Sequence, residues 1–133
     1  EREGESISLG GIDDSSFASK YSNGYHSNLS NHIEELFTED GFQILLSHRP
    51  ELFGMYVDAG LDLIFSGHAH GGQFRLPFVG GLVAPNQGLF PEYDAGLFLE
   101  DGTNMVVSRG IGNSIIPVRF HNRPEVVVVE LSN

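Results

Sequence analysis

The first half of the chain alternates between short apolar runs and apolar residues at helical spacing. Ser6 to Leu9 alternates polar and apolar positions and ends at Gly10-Gly11, which predicts a half-buried strand closed by a turn. From Leu29 the apolar residues recur every three or four positions, which predicts an amphipathic helix that stops before Gly41. The candidates for its N-cap are three polar residues, Ser27, Asn28 and Ser30.

Two further apolar runs flank a second predicted helix. Phe42 to Leu46 and Leu61 to Phe65 each predict a buried strand, and Pro50 suits the first turn of the helix between them. Strands joined in this β-α-β order are parallel, with a right-handed connection, in nearly all proteins. His48 and His68, which follow the two strands, are therefore expected at the same edge of the sheet.

The second half of the chain differs from the first in composition and in the length of its predicted elements. Glycine and proline are frequent from Gln73 to Pro91, which predicts a loop over that edge. Four short strands with predominantly antiparallel pairing are predicted after it. They are Leu97 to Leu99, Met105 to Val107, Ile115 to Phe120 and Val126 to Leu131.

Composition narrows the chemistry that the chain can perform. Its 133 residues, 40% of them hydrophobic, suit one domain or part of one. The absence of cysteine excludes thiolate metal sites and cysteine nucleophiles, so a metal would need His, Asp, Glu or Asn ligands. A net charge of −11 opposes binding to nucleic acid or to anionic lipid over a broad face, and an anionic substrate would need metal ions to receive it.

No apolar stretch approaches the roughly 20 residues that cross a bilayer, so we expect the piece to be soluble as written.

The strongest chemical signal is a pair of histidines directly after a predicted strand. In Gly67-His68-Ala69-His70-Gly71-Gly72, the glycines favour a turn on which the two side chains can diverge toward two metals. Neutral imidazole is a common ligand of divalent transition metals. The alternative is a surface loop with incidental histidines, which the expected convergence with His48 disfavours.

The same motifs resemble the calcineurin-like metallophosphoesterases. The resemblance rests on Ser47-His48-Arg49-Pro50-Glu51, on Ser-Gly-His-Ala-His-Gly-Gly-Gln from Ser66 to Gln73, and on Leu76-Pro77. Three later segments resemble a bacterial branch of membrane-associated phosphohydrolases: Ala84 to Gly88, Ser108 to Gly112 and Asn122 to Glu125.

The resemblance implies both a fold and a metal site. The fold is an α/β domain, a four-layer α/β/β/α sandwich, of which residues 1–133 would form the C-terminal half with a mixed or antiparallel sheet and flanking helices. The site holds two divalent ions, Mn, Fe, Zn or Ni, that share a bridging aspartate and a bridging water or hydroxide. His48 and His68 would ligate one ion and His70 the other, which makes His68 and His70 the catalytic candidates.

Several motifs of that family are not found in the chain. Asp-x-His, Gly-Asp-x-x-Asp and Gly-Asn-His followed by Glu or Asp would precede Gly11 and would supply the remaining ligands. The chain also begins at Glu1 without methionine, so we expect an upstream half to be missing. We further expect the isolated chain to be inactive and to self-associate through uncovered apolar surface, and membrane association to depend on the missing region.

Candidate substrate contacts follow the histidine motif. Arg109, Gln73 and Asn86 are the candidates for binding a phosphate-ester small molecule or a lipid-linked phosphate, with cleavage of a phosphodiester or pyrophosphate. A carboxylate pair for Arg109 and a fold-maintaining hydrogen bond for the other two are the competing interpretations. A structural role is expected for Asp14, and no nucleic-acid partner is expected.

Two rival functions remain at this point. Metallo-β-lactamase-type zinc hydrolases also begin their site with His-x-His, but their pattern continues to an aspartate where this chain has Gly72. The second rival is a noncatalytic β-rich binding or structural module in which the histidines are incidental.

Overall fold

A five-stranded mixed sheet forms the centre of the computed structural model, which describes residues 6–14, 25–38, 40–113 and 117–132. The strands of this sheet are β1 (Ile7–Ile12), β2 (Phe42–Ser47), β3 (Leu63–Ser66), β8 (Gly96–Glu100) and β9 (Thr103–Val107). The spatial order is β1-β2-β3-β9-β8, with β1, β2, β3 and β9 parallel and β8 antiparallel to β9 at one edge. The α/β class with a mixed sheet is confirmed. The antiparallel pairing expected in the second half holds for β8 with β9, whereas β9 also pairs parallel to β3 of the first half.

Two helices cover one face of the sheet. Helix α1 spans Tyr25–Leu36, and a 3₁₀ turn over Pro50–Leu52 leads into α2, Phe53–Asp58. One cluster of buried side chains joins both helices to the sheet, and its members include Leu29, Ile33, Leu45, Phe53, Tyr56, Ile64, Met105 and Val107. The predicted β-α-β unit is confirmed, because β2 and β3 are parallel neighbours connected through α2.

Gly10-Gly11 does not form the predicted turn, because β1 continues through both residues to Ile12. A Cβ at Gly10 would lie 2.8 Å from the ring of Phe37, just beyond α1. Glycine therefore serves there to let the helix side pack closely against the strand rather than to reverse the chain.

Helix α1 begins earlier than the cap candidates indicated. Ser27, Asn28 and Ser30 lie within the helix, which starts at Tyr25. Tyr25 stands four residues before Leu29, so the helical spacing of apolar residues extends one turn further upstream.

The predicted loop after Gln73 contains two small antiparallel ribbons. Strand β4 (Arg75–Leu76) pairs with β5 (Gly80–Gly81), and β6 (Val83–Ala84) pairs with β7 (Gly88–Leu89). Pairs of two-residue strands leave most of this segment irregular, as its glycine and proline content predicts.

The last two predicted strands are not regular strands. Val126 to Leu131 has no ladder partner among the described residues, and Val127 and Val129 instead line a groove with Leu63 and Val106 of the sheet. In the segment predicted as Ile115 to Phe120, positions 115 and 116 lie outside the described residues, and Phe120 makes a single bridge with Phe74. Valine-rich sequence favours extended backbone, but a strand also needs a neighbour that offers hydrogen bonds.

The sheet face opposite the helices, here called the outer face, exposes large apolar side chains. Its members include Ile7, Leu9, Phe42, Leu46, Leu97 and Leu99, each more than a third exposed. These side chains share one face because they alternate with helix-facing residues along paired strands. In the described part of the chain, neither helix has the length and apolar character needed to cross a membrane.

Candidate metal centre

Three adjacent parallel strands end at the same edge of the sheet, and each is followed by a potential metal ligand. Asp14 lies two residues after β1, His48 directly follows β2, and His68 lies two residues after β3. Their ligand atoms all lie within 4.8 Å of one another. Ligands in open α/β sheets bind at the carboxyl ends of the strands, so the topology itself gathers this donor group.

The two histidines of the group are in direct contact. The ring centroids of His48 and His68 are 4.3 Å apart, with the ring planes tilted by 58°. His48 Nε2 also lies 3.5 Å from Asp14 Oδ2. The expectation that His48 and His68 meet at one edge is confirmed, and two imidazole nitrogens with a carboxylate oxygen suit a divalent transition metal.

Asp14 is held in place by an arginine. Arg49 Nε and Nη2 lie 2.8 and 2.7 Å from Asp14 Oδ1, and Arg49 Nη1 lies 3.2 Å from Glu51 Oε1. This ion pair gives Asp14 the structural role expected from sequence. It also directs the second carboxylate oxygen toward His48. Asp14 follows a strand just as the two histidines do, so the reasoning that predicted their convergence could have included Asp14 as well.

The surroundings of His68 favour its neutral form. Burial lowers the pKa of His68, and the positive charge that His48 can carry lowers it further. Metal binding requires an unprotonated ring nitrogen, so this shift keeps His68 available as a ligand at a lower pH than an exposed histidine.

The segment after β3 is a tight turn, as the glycines around the histidines predicted. His68 and His70 have φ angles of 61° and 48°, in the left-handed region that non-glycine residues rarely occupy. The amide of Ala69 donates to the carbonyl of Gly67 at 2.6 Å. Strain of this kind persists where surrounding contacts fix the backbone, and it is common at functional sites.

His70 is separate from the donor group of Asp14, His48 and His68. Its pKa is also lowered, first by burial and then by the positive charge of Arg119, while a hydrogen bond to the carbonyl of Gly112 acts in the opposite direction. The three-residue group found in the described chain does not include His70. Arg119 was not recognised from sequence because it falls in the predicted strand Ile115 to Phe120.

A buried asparagine fixes the histidine turn from a distant part of the chain. Asn122, only 2% exposed, donates through Nδ2 to the carbonyl of His70 at 2.6 Å and to that of Gln73 at 3.2 Å. A Cβ at Gly71 would lie 2.4 Å from Asn122 Oδ1, and one at Gly72 would lie 2.3 Å from the Cα of Gly81. These close approaches explain why glycines follow the histidines.

The three candidate substrate contacts lie in different environments. Asn86 Nδ2 lies 2.9 Å from His68 Nε2, which places the loop above the donor group as predicted. Gln73 is buried. Arg109 is paired with Glu125, with Nη2 and Oε2 2.5 Å apart, and its backbone amide donates to the same carboxylate at 2.9 Å.

Comparison with known proteins finds several bacterial relatives. The chain is 33% identical over 131 residues to the uncharacterized metallophosphoesterase YkuE of Bacillus subtilis, which covers 98% of this chain and 42% of that protein. It is 37% identical over 89 residues to the phosphodiesterase YaeI of Escherichia coli, with 67% of this chain and 32% of the relative covered. It is also 36% identical over 92 residues to the UDP-2,3-diacylglucosamine pyrophosphatase LpxG of Chlamydia trachomatis, with 65% and 28% covered.

The chain therefore spans less than half the length of these curated relatives. No family model and no solved structure matches it.

Proposed function

Because this chain belongs to the calcineurin-like metallophosphoesterase superfamily, we propose that it forms the C-terminal part, residues 1–133, of a single catalytic domain that hydrolyses phosphate esters with the help of divalent metal ions. One observation carries the proposal at the level of residues. Asp14, His48 and His68 bring three ligand atoms within 4.8 Å of one another at the ends of adjacent parallel strands.

The residues are assigned separate tasks in this proposal. His48 and His68 hold one ion, and His70, on the far side of the turn, holds the second. Asp14, whose Oδ2 lies 3.5 Å from His48 Nε2, is assigned to orient the ring of His48, as carboxylates commonly do for metal-ligating histidines. The chemistry that two divalent ions supply when bound is Lewis-acid polarisation of a phosphoryl oxygen and acidification of a water molecule.

Among the candidate substrate contacts, the geometry favours Asn86. Its amide touches His68, so a small movement of the loop brings it to a substrate at the donor group. The burial of Gln73 favours a fold-maintaining role, and the pairing of Arg109 with Glu125 leaves less of that guanidinium for a phosphate.

The proposed reaction is cleavage of a phosphodiester or a pyrophosphate. Two of the relatives are named a phosphodiesterase and a pyrophosphatase of UDP-2,3-diacylglucosamine. The second name motivates a lipid-linked phosphate as the proposed substrate class. The net charge of −11 is consistent with this role of metal ions, because an anionic substrate approaching an acidic protein needs positive charge at the site.

We expect this chain alone to be inactive. Three donors around one position, with His70 apart, are too few for two ions, since even a single catalytic zinc ion has three protein ligands. The remaining ligands would come from residues upstream of the chain.

The test compares this chain with a version extended upstream. Metal content and Mn²⁺-dependent hydrolysis of bis(p-nitrophenyl) phosphate are measured for each, with His68→Ala as the site variant. His32→Ala is the matched control, because His32 lies on α1 with its side chain 55% exposed.

The proposal predicts about two ions and turnover only in the extended protein, loss of both with His68→Ala, and no change with His32→Ala. If the extended protein binds no metal and is indifferent to His68→Ala, the chain is instead a noncatalytic module with incidental histidines.

A further inference from the structure

Most of the cationic side chains in the described chain are neutralised by carboxylates. Three arginines form ion pairs with N–O distances of 2.5 to 2.9 Å. The pairs are Arg49 with Asp14, Arg75 with Asp94, and Arg109 with Glu125. Because the protein has 18 acidic residues and only 7 Lys and Arg, an arginine is expected to have a carboxylate partner.

Arg119 departs from this pattern. Its Nη2 donates to the carbonyl of Arg109 at 2.9 Å and to the carbonyl of Gly112. Its Nε and Nη1 are shielded from solvent, and neither has a hydrogen-bond partner among the described residues. Removing a charged N–H group from water without giving it an acceptor destabilises the folded protein. An anion that bound to these two donors would remove that penalty.

Arg119 belongs to the neighbourhood of the histidine turn. Its Nη2 donates to the carbonyl of Arg109, and Arg109 packs against that turn, since a Cβ at Gly71 would lie 2.6 Å from Arg109 Cγ. Arg119 is also near enough to His70 for its positive charge to lower the pKa of that histidine. An anion held next to His70 would therefore lie within reach of Arg119.

We propose that Arg119 binds a phosphate oxygen of the substrate beside His70 through Nε or Nη1, the two donors that lack an acceptor in the described chain. Because Nη2 is anchored on two carbonyls, the guanidinium holds its charge and its remaining donors in a fixed position, which the flexible ammonium of a lysine cannot do. This inference rests on the proposed function, since it assumes that His70 lies at the phosphate-cleaving site. A competing role for Arg119 is purely structural, as a clamp that holds residues 109–112 through two carbonyls.

The experiment separates these roles with inorganic phosphate as the probe. Phosphate binding to the metal-loaded extended protein is measured by calorimetry for the wild type, Arg119→Lys and Arg119→Gln, together with metal content and melting temperature. Arg123→Gln is the matched control, because Arg123 is exposed to solvent and lies four residues away.

We expect Arg119→Gln to weaken phosphate binding by about tenfold to a hundredfold, the range for losing charge-assisted hydrogen bonds, with metal content unchanged. Arg119→Lys restores the charge but not the anchored guanidinium, so it should recover only part of the affinity. The KM for bis(p-nitrophenyl) phosphate should rise in the same order. Arg123→Gln should change none of these quantities.

The clamp role predicts a different result. If Arg119→Lys and Arg119→Gln lower the melting temperature but bind phosphate as the wild type does, or if the wild type itself binds no phosphate, the inference is overturned. Absence of turnover in a wild type that holds metal and binds phosphate through Arg119 would contradict the proposed hydrolysis and leave the anion site standing.

Discussion

Asn122 couples the turn that carries His70 to a segment 52 residues away along the chain. Its amide donates to two carbonyls of that turn, and its side chain is buried. Both histidines of the turn have left-handed backbone angles, which the chain would relax if the restraint were removed. We therefore expect Asn122 to be a positioning residue for the candidate metal ligands rather than a ligand itself.

Asn122→Ala is expected to destabilise the extended protein by about 1–3 kcal/mol, because two carbonyls lose their donor in a buried environment. It should also weaken Mn²⁺ binding, since the turn is no longer fixed. Urea denaturation and a Mn²⁺ titration measure the two effects. Asn104→Ala is the control, because Asn104 Nδ2 also donates to two carbonyls, of Asp62 and Gly102, at the opposite end of the sheet. Equal losses of Mn²⁺ affinity in both variants would contradict the assignment.

At the scale of residues, strand-end position was the informative signal. His48 and His68 could be predicted to meet because each follows a strand of a β-α-β unit. Asp14 follows a strand in the same way, but a carboxylate in an acidic chain carries little information until its neighbours are known. Arg119 could not have been identified, because its significance lies in two unpaired donors that only the packing reveals.

The turn that carries His68 and His70 needs glycine for two reasons, a left-handed backbone angle and a close contact with a neighbouring strand. Gly72 has a φ of +71°, and a Cβ there would also collide with the backbone of Gly81 in β5. Gly88 has a similar φ of +73°, but a Cβ there would meet nothing within 4 Å. The two positions separate the cost of the backbone angle from the cost of the contact.

Gly88→Ala is expected to cost about 1–2 kcal/mol, the price of a left-handed alanine. Gly72→Ala should cost about 1–3 kcal/mol more, because β5 has to move away from the turn. Chemical denaturation of both variants in the extended protein measures the difference. Equal losses of stability would show that the approach of β5 contributes nothing to holding the turn.

At the scale of elements, the buried strands were predicted correctly from their apolar runs, whereas one pair of glycines was wrongly interpreted as a turn. Gly10-Gly11 carries the sequence signature of a turn, yet Gly10 lies within β1 because the ring of Phe37 occupies the space of a side chain. Val126 to Leu131 has the composition of a strand but finds no ladder partner in the described chain. Both errors arise from long-range contacts, which local sequence does not record.

At the scale of the whole molecule, helices cover one face of the sheet, whereas the outer face is exposed beyond the groove lined by Val127 and Val129. Outer-face residues Leu9, Leu97 and Leu99 are each about two-thirds exposed, at 67%, 67% and 68%. Exposed apolar surface of this extent indicates a contact with further protein. In the proposed function, that contact is the remainder of the catalytic domain.

We therefore expect the isolated chain to self-associate, and the extended protein to do so much less. Sedimentation velocity over a concentration series measures this, with Leu97→Glu combined with Leu99→Glu as the variant that should restore monomers. Glu34→Gln combined with Glu35→Gln is the control, because these residues are exposed on α1, away from the outer face. A concentration-independent monomer peak for the unmodified chain would count against the expectation.

The placement of three potential metal ligands directly after three neighbouring strands has a consequence for evolution. Adjacent strands are spaced about 4.7–4.9 Å apart, and β1 and β3 lie on either side of β2. The side chains that follow the two outer strands therefore need only converge on His48 for all three ligand atoms to lie within 4.8 Å of one another. The segments that join the strands do not set that distance. Doubling the length of such a connection costs only about 0.6 kcal/mol in chain entropy, so descendants of this protein can lengthen or shorten them while the gap for a metal ion keeps its width.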